Sequence, residues 1–239
     1  PFSYVGGMVT SRIATDGSYN EAYGLDGILL LSGDNYLSFG WAQTFEKGRK
    51  NNPLSLDPTR LRLAYERRTK KGLGAYLGLS RAGKDYVPGI GFEMREDFTA
   101  SRVEILYGWI PGEKSFLQSH SVQAEASLAL RNEDNTIESA HFEPRWEFNT
   151  KSGWGGHFAY RFNKESLREL LEFSTEANVP PGEYTFSRLR SFFHAPMGGL
   201  LGAVTMVEVG SFYDGSRMTL RIMPTWSILP DLSLSGQYE

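Results

Sequence analysis

The sequence predicts an all-β protein: an antiparallel up-and-down transmembrane β-barrel with about 13 strands in this segment, part of a larger barrel with an even strand number. Three observations carry that expectation. Apolar and polar residues alternate with period two from end to end, and helical periodicity is nearly absent. The alternating stretches run for about 10 to 13 residues, twice the usual length of strands in globular sheets. Turn signals recur regularly, short at one end of the strands and longer at the other, which is the asymmetry of outer-membrane barrels.

Taken in chain order, Leu37, Phe39, Trp41 and Phe45 share one face, and Tyr36, Ser38, Gly40, Ala42 and Thr44 the other. Leu61, Leu63 and Tyr65 alternate with Arg60, Arg62, Ala64 and Glu66. Val103, Ile105, Tyr107 and Trp109 oppose Arg102, Glu104 and Gly108, and Val122, Ala124, Ala126, Leu128 and Leu130 oppose Gln123, Glu125, Ser127 and Arg131. Phe142, Pro144, Trp146 and Phe148 oppose His141, Glu143, Arg145 and Glu147. Phe158, Tyr160 and Phe162 oppose His157, Ala159 and Arg161. Met218, Leu220, Ile222, Pro224, Trp226 and Ile228 oppose Arg217, Thr219, Arg221 and Thr225. Successive strand side chains point to opposite faces, so each ribbon has an apolar and a polar side.

Short turn signals stand at Gly33-Asp34-Asn35, Lys71-Gly72, Pro111-Gly112-Glu113, Lys151-Ser152-Gly153, Met197-Gly198-Gly199 and Pro230-Asp231. Most are roughly 39 residues apart, room for two long strands. Between them lie more variable connections: Thr15 to Asn20, Gly48 to Pro58, Met94 to Asp97, Asn132 to Thr136, Glu165 to Gly182, and Asp214-Gly215. A soluble β-sandwich would alternate too. Strand length argues against it, and so does the grouping of tryptophans: Trp109 precedes Pro111, Trp146 lies just before the Lys151 turn, Trp154 follows Gly153, and Trp226 precedes Pro230. Amphipathic rings at one level are what a membrane interface selects, so these four are the expected interface aromatics.

Residues 1–239 read as one barrel domain, expected to be incomplete at both ends. Pro1 is not an initiator Met, and Leu232-Ser233-Leu234-Ser235-Gly236-Gln237-Tyr238-Glu239 stops inside an alternating pattern. Residues 165–182 form a long loop insert. There Leu167, Leu170 and Leu171 fall at helical spacing, Glu165, Glu169, Glu172 and Glu176 give acid character, and Pro180-Pro181 ends the pattern. One turn of helix is expected between Ser166 and Ala177, in an exposed loop.

Composition excludes several classes. The formal charge of −3 gives no electrostatic footprint for nucleic acid. With no cysteine, disulfides, thiolate metal sites and Cys nucleophiles are impossible. The longest apolar run, Ile28-Leu29-Leu30-Leu31, is far short of a transmembrane helix. Aromatic residues make up 13% of the chain, too many for a disordered one.

Several stretches resemble a known family. Gly17-Ser18-Tyr19-Asn20-Glu21-Ala22-Tyr23-Gly24-Leu25-Asp26, followed by Leu37-Ser38-Phe39-Gly40-Trp41-Ala42-Gln43-Thr44, is similar to the outer-membrane barrel domain of unknown function that follows a family-9-type carbohydrate-binding module in bacterial proteins. Lys84-Asp85-Tyr86-Val87-Pro88-Gly89-Ile90-Gly91-Phe92, Val179-Pro180-Pro181-Gly182-Glu183-Tyr184, and Gly210-Ser211-Phe212-Tyr213-Asp214-Gly215-Ser216-Arg217 with Leu232-Ser233-Leu234 continue the likeness in the family's order. The resemblance implies a place, the bacterial outer membrane, and a fold rather than a reaction. It also implies further strands on both sides and a sugar-binding-like module upstream.

The inward face is the expected seat of function. Arg60, Arg62, Glu66, Arg102, Glu104, Glu125, Arg131, Glu143, Arg145, Glu147, Arg161, Arg217 and Arg221 would line the lumen, as a water-filled path or a salt-bridged wall. No catalytic constellation, metal site or cofactor is expected. Glu143 and Glu147 lie roughly 13 Å apart along a strand, wide of the about 5 to 9.5 Å of glycosidase carboxylates. His141 and Glu143 have metal-compatible spacing but no identifiable third ligand. In Ser119-His120-Ser121 adjacent side chains point to opposite faces, so they cannot serve one another. The leading functional expectation is a pore or barrel platform for polar solutes such as oligosaccharides, in contact with outer-membrane lipid. The alternatives are a structural subunit of an outer-membrane protein complex with an occluded lumen, and an outer-membrane hydrolase acting on glycans.

Overall fold

Period-two alternation dictates extended chain, and every regular element of the computed structural model is a strand. It describes residues 3–49, 52–93, 95–173, 178–196, 199–229 and 231–239. The strands are β1 (Tyr4–Ile13), β2 (Tyr19–Ser32), β3 (Asn35–Glu46), β4 (Thr59–Arg67), β5 (Gly72–Ala82), β6 (Phe98–Trp109), β7 (Leu117–Arg131), β8 (Ile137–Thr150), β9 (Gly155–Leu167), β10 (Leu171–Glu172), β11 (Asn178–Val179), β12 (Gly182–His194), β13 (Leu201–Phe212), β14 (Gly215–Leu229) and β15 (Leu232–Ser235). Thirteen of them form one antiparallel sheet whose strands are neighbours in sequence order, from β1 to β9 and then β12 to β15. Closure is not found: among the described residues β1 neighbours only β2, and β15 only β14.

The strand number and the up-and-down order match the expectation from alternation. The insert does not. No helix occurs among the described residues. β9 runs on through Leu167, and β10 and β11 pair as a small separate hairpin, Leu171 with Val179 and Glu172 with Asn178. This corrects the expected turn of helix. A single turn fixes several residues for one hydrogen bond, whereas here two extended segments satisfy each other, with Val179 buried. Residues 174–177 of the insert, including Glu176 and Ala177, lie outside the described residues. So do Met94, the Met197-Gly198 pair of one expected turn and Pro230 of another.

Two compact units make up the chain. One comprises Pro1–Arg68, Ala75–Val103 and Ser127–Glu138; the other comprises Thr69–Gly74, Glu104–Ala126 and Ser139–Glu239. In the first, register puts Asp26 opposite Gly40 and Gly40 opposite Arg62, while Leu25, Trp41 and Leu61 line up on the reverse face. The two-residue turn between β2 and β3 starts at Gly33, whose φ of 51° is the left-handed conformation that glycine adopts without a Cβ penalty. In the second unit, Arg145 faces Ala159, Ala159 faces Arg190 and Arg190 faces Glu208. Pairing of β8 with β9 stops at Phe142–Phe162 and resumes in the same register at Arg145–Ala159, across Glu143 and Pro144. Proline has no N–H to give the ladder there.

Burial does not simply follow polarity: alongside buried apolar residues such as Phe98 and Phe186, several polar ones are enclosed. On the apolar face large side chains stay uncovered: Leu63 is 48% exposed, and in the second unit Phe162 is 46% and Trp226 47% exposed. The most enclosed side chains include polar ones, Glu143 at 1% and Arg60 at 8% exposure.

Candidate functional site

The second unit centres on Glu143. Alternation along β8 turns its carboxylate to the polar face, where β9 and β12 bring guanidiniums at matching heights. Arg145 donates through Nη2 to Oε1. Arg161 Nε donates to Oε2 at 2.5 Å and Arg190 Nη1 to the same oxygen at 2.9 Å. Arg190 also reaches Glu208 Oε2 through Nε at 3.2 Å, and Arg188 Nη1 donates to Glu208 Oε1 at 2.5 Å. Arg188 is further covered by the rings of Phe186 and Phe212, 5.6 and 5.5 Å from its guanidinium carbon. The result is a chain of charge running across β8, β9, β12 and β13. Glu143 accepts three charge-assisted bonds and has no exposed side-chain surface, so it braces the sheet and presents nothing to a substrate.

Arg145, Glu143 and Arg161, all expected on the polar side, are thus brought together. Arg188, Arg190 and Glu208 were not among the expected residues. Their strands carry Phe186, Phe192 and Met206 on the same face as the charges, which blurs the alternation. The usable signal was Arg188-Leu189-Arg190, two cations at spacing two.

The other expected wall residues are placed as follows. Glu125 pairs with His141 at 2.8 Å, so this histidine engages the neighbouring strand β7. Arg102 lies over the Tyr76 ring at 5.6 Å. Arg217 lies over Phe212 at 5.4 Å, and Arg221 reaches Glu239 through Nε at 3.0 Å. Glu66 accepts from Arg68 Nε at 2.8 Å. Arg131, the last residue of β7, donates to the Ile137 carbonyl at 3.2 Å. Glu104 and Glu147 lie on β6 and β8. His120 stacks on the Trp109 ring, with centroids 4.8 Å apart. Trp109, Trp146 and Trp226 lie toward the short-turn end of their strands and Trp154 in the short turn before β9, all four exposed.

In the first unit the connection after β5 folds back as a strap over the polar face of β2–β4. Asn20 clamps it twice: its Nδ2 donates to the Val87 carbonyl and its Oδ1 accepts from Gly89 N–H, both at 2.8 Å. Val87 N–H donates to Thr44 Oγ1 at 3.2 Å, and Arg49 Nη1 holds Asp85 Oδ1 at 2.7 Å. At the far end Arg60 Nε donates to Glu93 Oε2 at 2.7 Å. Arg60 also gives Nη1 to Ser80 Oγ at 2.7 Å and to the Leu61 and Arg81 carbonyls, so its Nε and Nη1 are both engaged. Tyr86 is itself part of the strap, and burial pushes its phenol up, with the Glu93 charge adding to the effect. Between strap and sheet lies a cavity of about 360 Å³.

No family model, curated protein or solved structure matches this chain.

Proposed function

We propose that the chain is barrel wall of a bacterial outer-membrane protein whose polar face handles polar solutes such as oligosaccharides, in the manner of the barrel domain associated with family-9-type carbohydrate-binding modules. One observation carries this reading. The long strands leave large apolar side chains uncovered on one face, while charges on the other face are enclosed and paired. A soluble protein rarely exposes a contiguous apolar patch above about 300–600 Å². In hydrocarbon the same face carries no penalty, and a misplaced charge there would cost about 2–4 kcal/mol. The four exposed tryptophans toward the short-turn end support an interfacial level on that side.

A second reading, a barrel platform with an occluded interior serving an outer-membrane assembly, is favoured by the strap folded over the polar face and by the mutual neutralisation around Glu143. Planar-bilayer recording of the full-length protein separates the two. Stepwise conductance at neutral pH, blocked by added oligosaccharide, supports the pore. A silent bilayer with the protein inserted removes the pore and leaves the platform. Recovery of the protein in the soluble fraction rather than the outer membrane overturns both.

A further inference from the structure

We infer that the cavity beneath the strap is a binding site for a neutral sugar ring. Its floor is built by register. Asp26 on β2 faces Gly40 on β3, and Gly40 faces Arg62 on β4. A carboxylate and a guanidinium therefore flank a residue with no side chain, their Cα atoms about 9–10 Å apart across two strand spacings. A Cβ on Gly40 would meet only the Arg62 Cβ, at 3.8 Å, so the notch between them is open. Asp26 and Arg62 are both exposed, and Asp26 Oδ1 lies 3.5 Å from where a Cβ on Gly6 of β1 would stand, so its carboxylate leaves the space over Gly40 clear. Arg60 and Glu93 are spent on each other, whereas Arg62 makes no ion pair or hydrogen bond among the described residues.

The chemistry of the cavity selects the ligand. Asp26, Glu93, Arg60 and Arg62 sum to zero charge, so no net field draws in an ion. What remains is an acceptor at one end, a planar fork of donors at the other, and space between. Neighbouring hydroxyls of a pyranose satisfy both ends at once. The strap supplies an apolar wall for the C–H face of such a ring through Ile90 and Phe92, the latter 85% exposed. A volume of about 360 Å³ lies within the range of small-molecule pockets.

This inference deepens the proposed function and rests on it for the wetness of the polar face. Its test is nonetheless separate from conductance. Full-length protein in detergent micelles is titrated with maltose, cellobiose, sodium glucuronate and phosphate, followed by saturation-transfer NMR and calorimetry. Saturable binding of a neutral disaccharide is expected, weakened at least tenfold by Asp26→Asn and by Gly40→Leu and unchanged by Glu113→Gln in the turn between β6 and β7. Unchanged circular dichroism establishes that each variant folds. Should Gly40→Leu misfold, Asp26→Asn, on an exposed side chain, carries the test alone. No saturable binding of either disaccharide overturns the inference, as does binding that survives Asp26→Asn. Tight binding of glucuronate or phosphate with neither disaccharide bound overturns it in favour of an anion site at Arg62. Sugar binding in a protein that never conducts sinks the pore and leaves this site standing.

Discussion

Glu143 is where one atom group carries the most. Its carboxylate is enclosed by Arg145, Arg161 and Arg190, whose side chains keep only about a quarter of their surface exposed. Removing its charge takes from Arg145 and Arg161 the carboxylate they hold and leaves Arg190 with Glu208 alone. Glu143→Gln is expected to destabilise by about 3 kcal/mol, the scale of breaking a buried ion pair from one side. Glu147→Gln on the same strand should change stability by under about 0.5 kcal/mol. Urea midpoints of both variants in lipid vesicles check this; equal midpoints would mean the cluster braces nothing. Half of this cluster was legible in the sequence, because Glu143, Arg145 and Arg161 alternate cleanly with phenylalanines and tryptophan. Arg190 and Glu208 were hidden because Phe192 and Met206 share their face. Contacts between strands depend on register, which no single strand's pattern encodes.

At the scale of elements, the β13–β14 hairpin turns through Tyr213 with φ of 52°, a left-handed conformation unfavourable for a bulky residue. The ring compensates. It packs 5.0 Å from Phe186, 5.2 Å from Tyr184 and 4.8 Å from Phe212, and its hydroxyl donates to Glu165 Oε2. Burial, and then the bond to Glu165, raises the phenol well above the ordinary tyrosine range. A raised native value means that the protonated ring is favoured on folding. That contribution is complete below pH about 10 and is lost as pH climbs from there toward the native value. Wild type should therefore lose more stability between pH 9 and 11.5 than Tyr213→Phe, by thermal unfolding in micelles; parallel losses would refute the assignment. The strap and the insert show the limit of pattern reading at this scale. Both lack a period, and Leu167, Leu170 and Leu171 mimicked helical spacing, although Leu167 ends β9, Leu171 begins the small hairpin and Leu170 lies between them.

For the whole molecule, what was readable was the part written in period two: thirteen strands, their order, and the asymmetry of their turns. The proposed bilayer setting makes a directional prediction. Leu63→Arg, on the uncovered apolar face, should lower insertion into phosphatidylcholine vesicles by the equivalent of about 2–4 kcal/mol. Ser38→Arg, on the polar face of the adjoining strand, should stay within about 1 kcal/mol of wild type. Equal tolerance at both positions would count against hydrocarbon contact.

The interruption at Pro144 has a mechanical meaning. Over Glu143 and Pro144 the backbone rungs joining β8 to β9 lapse, and at that height the Glu143–Arg161 pair spans the same two strands. Main-chain stitching is replaced by an electrostatic rivet. Whatever peels this hairpin away must pull ions apart there rather than unzip amides, so the seam yields to charge and not to geometry.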